Sequence, residues 1–183
     1  MSSRTSCGWS LGCGLFVLVV LALPSAPCAN AGLLGLTEGT PDIDASFISI
    51  KYTYKASTQQ GNFSATGFAD SLNLVGPGAS PGSAGRPKIT KASGKGYGQF
   101  ALDLVLDLRS GVVPSSGSLT ITGDIPALGI YGSSSSQLAT LLSGQATAFG
   151  YSTSGSEFTE FDFLFTVTTD GTGKFGVGSS VGG

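Results

Sequence analysis

Residues 98–109, GQFALDLVLDLR, alternate apolar and polar side chains almost without interruption. In an extended chain Phe100, Leu102, Leu104, Leu106 and Leu108 point one way, and Ala101, Asp103, Val105, Asp107 and Arg109 the other. A period of two belongs to a strand buried on one face. On a helix the same leucines would spread around the whole circumference. The pattern recurs in Ala45–Ala56, with Ile48, Ile50, Tyr52 and Tyr54 opposed to Ser49, Lys51, Thr53 and Lys55. It recurs again where Phe161, Phe163, Phe165 and Val167 oppose Glu160, Asp162, Leu164 and Thr166.

Shorter strands are predicted at NFSATGFA, at SLNLV, around Leu119–Gly123 and at QATAFGYS, with one helical turn at Gln137–Leu142. Asp170–Gly173 reads as a hairpin turn. The glycine- and serine-rich segments between strands read as turns and loops. Short strands at this spacing, with almost no helix, predict an all-β fold of about eight or nine strands. One-face alternation suits antiparallel pairing. The expected architecture is an antiparallel β-sandwich, jelly-roll-like, with a barrel as the alternative.

The N-terminus follows another rule. Arg4 is followed by the apolar run Leu15–Leu23, which Pro24 ends. A membrane-spanning helix needs about 20 apolar residues, so this run is short for one. Ala29 and Ala31 place small residues at the two positions a signal peptidase reads. Residues 1–31 are therefore expected to be a signal peptide cleaved after Ala31, and residues 32–183 a single all-β domain with a loose C-terminal tail. An uncleaved N-terminal anchor is the alternative. Pro27 before Cys28 argues against lipid attachment at that cysteine.

Cys7, Cys13, Cys28, Met1 and Trp9 all precede that cut, so the remaining 152 residues contain no Cys, Met, Trp or His. A Ser-His-Asp relay is thereby excluded from the domain, as is a thiolate nucleophile. Soft-ligand zinc or iron sites are excluded with them. Eight basic residues face eleven acidic ones, and no concentrated basic face is present, which argues against nucleic acid as a partner. No phosphate loop or dinucleotide motif occurs, and no cofactor is expected.

Asp103 and Asp107 lie about 13 Å apart along one strand face. Paired glycosidase carboxylates sit about 5–9.5 Å apart, so these two read as the wet side of a strand, with Arg109 as a nearby partner. Glu160 and Asp162, about 6.7 Å apart on one face, are the better-spaced acidic pair. They are the candidate ligands for calcium, or the candidate carboxylates of a hydrolase. Asp42 and Asp44 share that spacing if extended. Tyr97, Tyr131 and Tyr151 sit beside glycines near turns and are the candidate stacking residues for a glycan. Tyr52 and Tyr54 share an apolar strand face and are expected in the core.

The order FSATGFADSLNL, GQFALDLVLDL, GSLTITGDIPALG, LATLLSGQATAFGY and EFDFLFTVTTDG resembles a group of uncharacterised exported bacterial β-rich proteins, many carrying a PEP-CTERM sorting tail. The resemblance covers most of the domain and implies no catalytic residue. This chain ends in SSVGG, without that tail. Taken together, the expectation is a secreted or cell-surface, non-enzymatic domain with a structural or interaction role. Its partner would be a surface protein or a polysaccharide, with no membrane attachment after signal cleavage. A glycan-binding module, with or without calcium, is the competing expectation; a carboxylate hydrolase is the third.

Overall fold

The computed structural model describes Leu34, Leu36 and residues 39–76, 78–91, 96–109, 113–134, 137–154 and 157–183. The described residues run through seven strands: β1 (Asp42–Lys55), β2 (Gln60–Asn73), β3 (Gly98–Asp107), β4 (Val113–Thr122), β5 (Thr140–Ser154), β6 (Glu157–Asp170) and β7 (Ser180–Gly182). They form one antiparallel sheet in sequence order, β1 to β7. Pairing each strand with the next is the simplest way to satisfy backbone groups when the connections are short.

The sheet is curled into a half-barrel. Phe63 on β2 and Phe149 on β5 are separated by β3 and β4, about 14 Å of flat sheet, yet their ring centroids lie 4.8 Å apart. Phe63 also meets Phe161 at 4.9 Å, and Phe47 meets Phe161 at 5.3 Å. Only a sheet bent back on itself brings those faces together. The concave interior holds the core, including Leu102, Leu104, Leu106, Leu119, Ile121, Phe163, Phe165 and Val167. Those of β3 and β6 are the residues that the period of two places on one face. The convex face is polar, carrying Ser64, Asp103, Ser118 and Gln145 in register across four strands.

Two glycines allow the close approaches that the curl needs. A Cβ on Gly67 would stand 2.1 Å from the Ser46 carbonyl oxygen, and one on Gly144 would stand 2.2 Å from the Phe165 ring.

Several local expectations are corrected. NFSATGFA and the Ser71–Asn73 part of SLNLV belong to one strand, β2, rather than two, which lowers the strand number, and the strands lie in one sheet rather than two. Gln137–Leu142 is not helical. Thr140 begins β5, and a register shift after Ile121 lets the consecutive Leu141 and Leu142 both be buried. The short helix is instead a 3-10 turn at Pro126–Leu128. In the tail expected to be loose, Ser180–Gly182 pairs with Leu164–Thr166 of β6.

In β1 a register shift between Phe47 and Ser49 makes Ile48 the extra residue. The bulge flips the strand's parity. Ala45 and Phe47 before it face the interior, opposite Ala69 and Gly67, and so do Ile50 and Tyr52 after it, opposite Ala65 and Phe63. Ile48 therefore leaves the apolar face on which uninterrupted alternation places it. Among the described residues no helix is long and apolar enough to cross a membrane.

Candidate functional site

The strands present two ends. At one, β2 leads into β3, β4 into β5 and β6 into β7 through longer loops; at the other, β1 turns into β2. The loop end is held by polar contacts. Arg86 reaches from the β2–β3 loop to β1, where its Nη2 donates to Asp44 Oδ1 at 2.6 Å and its Nε to Asp44 Oδ2 at 2.9 Å. Its Nη1 donates to the Ala79 carbonyl at 3.0 Å, and the Ser71 hydroxyl donates to the same Asp44 carboxylate. A planar guanidinium suits this two-point clasp. Burial pushes the Asp44 carboxyl up, but the hydrogen bonds from Arg86 and Ser71 and the Arg86 charge outweigh it and hold the group below its ordinary range. Next to this clasp, Thr90 and Asp124 exchange backbone hydrogen bonds, and Asp124 Oδ1 accepts the Gly132 N–H at 2.8 Å.

The β6–β7 loop is built around one carboxylate. Asp170 Oδ1 accepts from the Thr172 amide and hydroxyl and from the Gly173 amide at 2.7–3.0 Å. Its Oδ2 accepts from the Phe175 and Gly176 amides, both at 2.8 Å. Burial alone would raise this carboxyl; those donors turn the balance and lower it. DGTG thus opens a loop longer than a two-residue hairpin turn.

The three candidate tyrosines do not converge. Tyr97 and Tyr131 stand at the loop end, 52% and 60% exposed, with the Tyr97 ring 5.5 Å from Phe68. Tyr151 lies toward the opposite end of β5, half-buried, its ring 6.2 Å from Phe149. It lies near Tyr52, whose phenol is raised first by burial and then by the proximity of Tyr151 and Tyr54.

The acidic candidates are also separated by role. Asp162 Oδ2 accepts the Leu34 N–H at 3.0 Å, tying the N-terminal lead-in to β6. Glu160 pairs through its backbone with Ser152, and its side chain lies outside the described residues. Ala29 and Ala31 lie outside them too. No group of three or more metal-ligating side chains occurs among the described residues. Asp103 is exposed on the convex face, and Asp107 Oδ1 accepts the Arg109 amide at 2.9 Å. The Arg109 guanidinium turns instead to the Thr58 carbonyl at 3.1 Å.

Among the described residues, two surfaces stand out as places where something could bind. One is a shallow groove of about 780 Å³ on the convex face, lined by Asn62, Ser64, Asp103, Ser118, Gln145 and Thr168 among others. It can offer hydroxyl, amide and one carboxylate group to a polar ligand. The other is β1, whose hydrogen-bonded strand neighbour among the described residues is β2 alone. Its interior-facing Phe47, Ile50 and Tyr54 are 44%, 47% and 49% exposed, and Ile48 on the bulge is 64% exposed. Sequence reasoning missed this surface. Apolar alternation marks a face that wants cover and does not say whether the fold supplies it. No family model matches this chain, and no curated protein or solved structure matches it.

Proposed function

We propose that this chain is an exported, non-enzymatic interaction domain with a structural role at the cell surface or in the extracellular matrix. The observation that carries the reading is β1, a 14-residue edge strand with exposed Phe47, Ile48, Ile50 and Tyr54. Contiguous apolar surface on a β-rich scaffold marks an interaction site, and an open strand edge is a template for pairing. The way the carboxylates are used supports the same reading. Asp44, Asp70, Asp107, Asp124, Asp162 and Asp170 each accept hydrogen bonds from the chain's own groups. Those contacts fasten loops and ends rather than gather acid and base in a cleft. The ring contacts between β2 and β5 support a finer reading of the half-barrel as sandwich-like, its two halves lying face to face.

Fractionation of the producing cells tests this. The full chain is expected to lose residues 1–31, read by mass, and to appear in the surface or matrix fraction. Ile48→Lys with Ile50→Lys should release it into the medium with an unchanged far-UV spectrum. Retention in the cytosol, or a variant that stays with the surface fraction, would overturn the reading.

A second reading, glycan binding, is favoured by the exposure of Tyr97 and Tyr131 at one end of the sheet. It requires that Tyr97→Ala and Tyr131→Ala abolish binding to a polysaccharide panel while Tyr151→Ala does not. Loss of that binding in EDTA would add calcium to the reading.

A further inference from the structure

We infer that the partner of β1 is β1 of a second copy of this chain, joined antiparallel about a twofold axis beside Ile48. This rests on the reading of β1 as the interaction surface and names what covers it.

The first argument is charge. On the convex side, the first half of β1 carries Asp42 and Asp44, with Asp70 of β2 hydrogen-bonded to Ser46 at 2.7 Å. Arg86 is engaged with Asp44 there, so the excess charge of this end is negative. The second half of the same face carries Lys51 and Lys55. An antiparallel pairing that sets Asp42 opposite Lys55 of the second copy also sets Ser46, with its partner Asp70, opposite Lys51. By the twofold symmetry both ends of the interface are then complementary. A parallel pairing in register would oppose like charges. Lysines on an edge strand deter promiscuous pairing; here the lysines match the acidic end of their own strand.

The second argument is parity. Residues facing each other across two strands must lie on the same face of the sheet. The bulge at Ile48 reverses the parity of β1 midway, so the register that pairs Asp42 with Lys55 keeps every opposed pair on one face. It places Phe47 against Ile50 and Ile43 against Tyr54 on the apolar side. Without the bulge, the same register would send the two members of every opposed pair to opposite faces of the sheet. The exposed residues Phe47, Ile50 and Tyr54 are thus given cover by the pairing that also satisfies the charges. A strand of 14 residues offers about 45 Å of edge for it.

Light scattering on the untruncated chain at tens of micromolar tests the inference, with far-UV spectra as the check on folding. The natural chain should have a two-chain mass. Lys51→Glu with Lys55→Glu should weaken self-association about tenfold or more, and Asp42→Lys with Asp70→Lys should do the same. An equimolar mixture of these two variants should recover the two-chain mass, because each end then meets its opposite. Cross-linking tests the register on a chain in which Cys7, Cys13 and Cys28 are Ser. Ile48→Cys should form a disulfide-linked pair under mild oxidation. Tyr54→Cys should not, since two such residues would lie about 36 Å apart. A natural chain that stays monomeric, a two-chain mass indifferent to the charge reversals, or cross-linking at Tyr54→Cys would each overturn the inference. A monomer whose surface association is still lost in Ile48→Lys, Ile50→Lys leaves the interaction role standing and assigns the strand to another partner. A dimer without surface association does the reverse.

Discussion

At the residue scale, the chain uses its few charges as fasteners. Asp170 takes five donors and Asp44 takes a two-point clasp from Arg86. Both carboxyls are held below their ordinary value of 3.8. A carboxyl lowered by folding contributes stability that is fully present above its unfolded pKa and is lost as pH falls through its folded pKa. The urea midpoint should therefore be flat above about pH 5 and fall progressively below about pH 4. Asp170→Asn keeps the shape of the side chain but replaces an oxygen that accepts two amides by a donor. It should cost about 1–2 kcal/mol near neutral pH, raise hydrogen exchange in residues 171–179, and flatten the acid limb of the midpoint curve. An acid limb unchanged from the natural chain would remove Asp170 from this account. Arg86→Lys keeps the charge but cannot make the two-point contact, and should speed exchange in the β2–β3 loop. The turn that Asp170 opens was legible in the sequence, because its partners lie two to six residues away; the Asp44–Arg86 clasp was not, because the two are 42 residues apart and only the fold brings them together.

At the scale of the element, alternation read most of the molecule correctly. The apolar faces of β3 and β6 are the ones buried, and Asp103 and Asp107 of β3 lie on the opposite, convex face. Alternation failed at Ile48 in β1, where a register shift adds a residue, because a bulge changes parity without changing composition; at Leu141 the same kind of shift buries two consecutive leucines, a spacing that reads as a helical turn. It also joined no strands, so β2 was read as two pieces. Gly67 and Gly144 are the element-scale tests. Gly144→Ala drives a methyl into the Phe165 ring, and Gly67→Val drives a branched side chain into the β1 backbone. Each should cost about 2 kcal/mol, measured by urea denaturation. A neutral Gly67→Val would mean that β1 does not approach β2 as closely as the fold requires.

At the scale of the whole molecule, the two halves of the sheet share one core. Phe63 touches the aromatic rings of β5 and β6, Phe100 meets Phe163 at 6.3 Å, and Phe47 meets both Phe100 and Phe161. The halves should therefore unfold together. Tyrosine fluorescence and far-UV circular dichroism should give coincident urea transitions. Phe63→Ala should lower stability by about 3–5 kcal/mol without splitting the transition. Two separated transitions would show that the halves are independent units.

The sequence by itself determined that this chain is all-β and antiparallel. It also determined which face of most strands is apolar, since side-chain period is a local property of an extended backbone and needs no knowledge of distant residues. It withheld the candidate site. Tyr97, Tyr131 and Tyr151 look equivalent beside their glycines, and only the path of the sheet sends Tyr151 to the end away from the other two. Whether β1 would be covered was likewise decided by the tertiary structure. Curling brings β2 against β5 and β6, but closing the sheet would need β1 to meet a last strand. In the fold β7 reaches only three residues, so among the described residues the first strand keeps an open edge and exposed apolar side chains. That outcome depends on how far the whole sheet bends, a sum of small twists and bulges over seven strands that no single segment encodes.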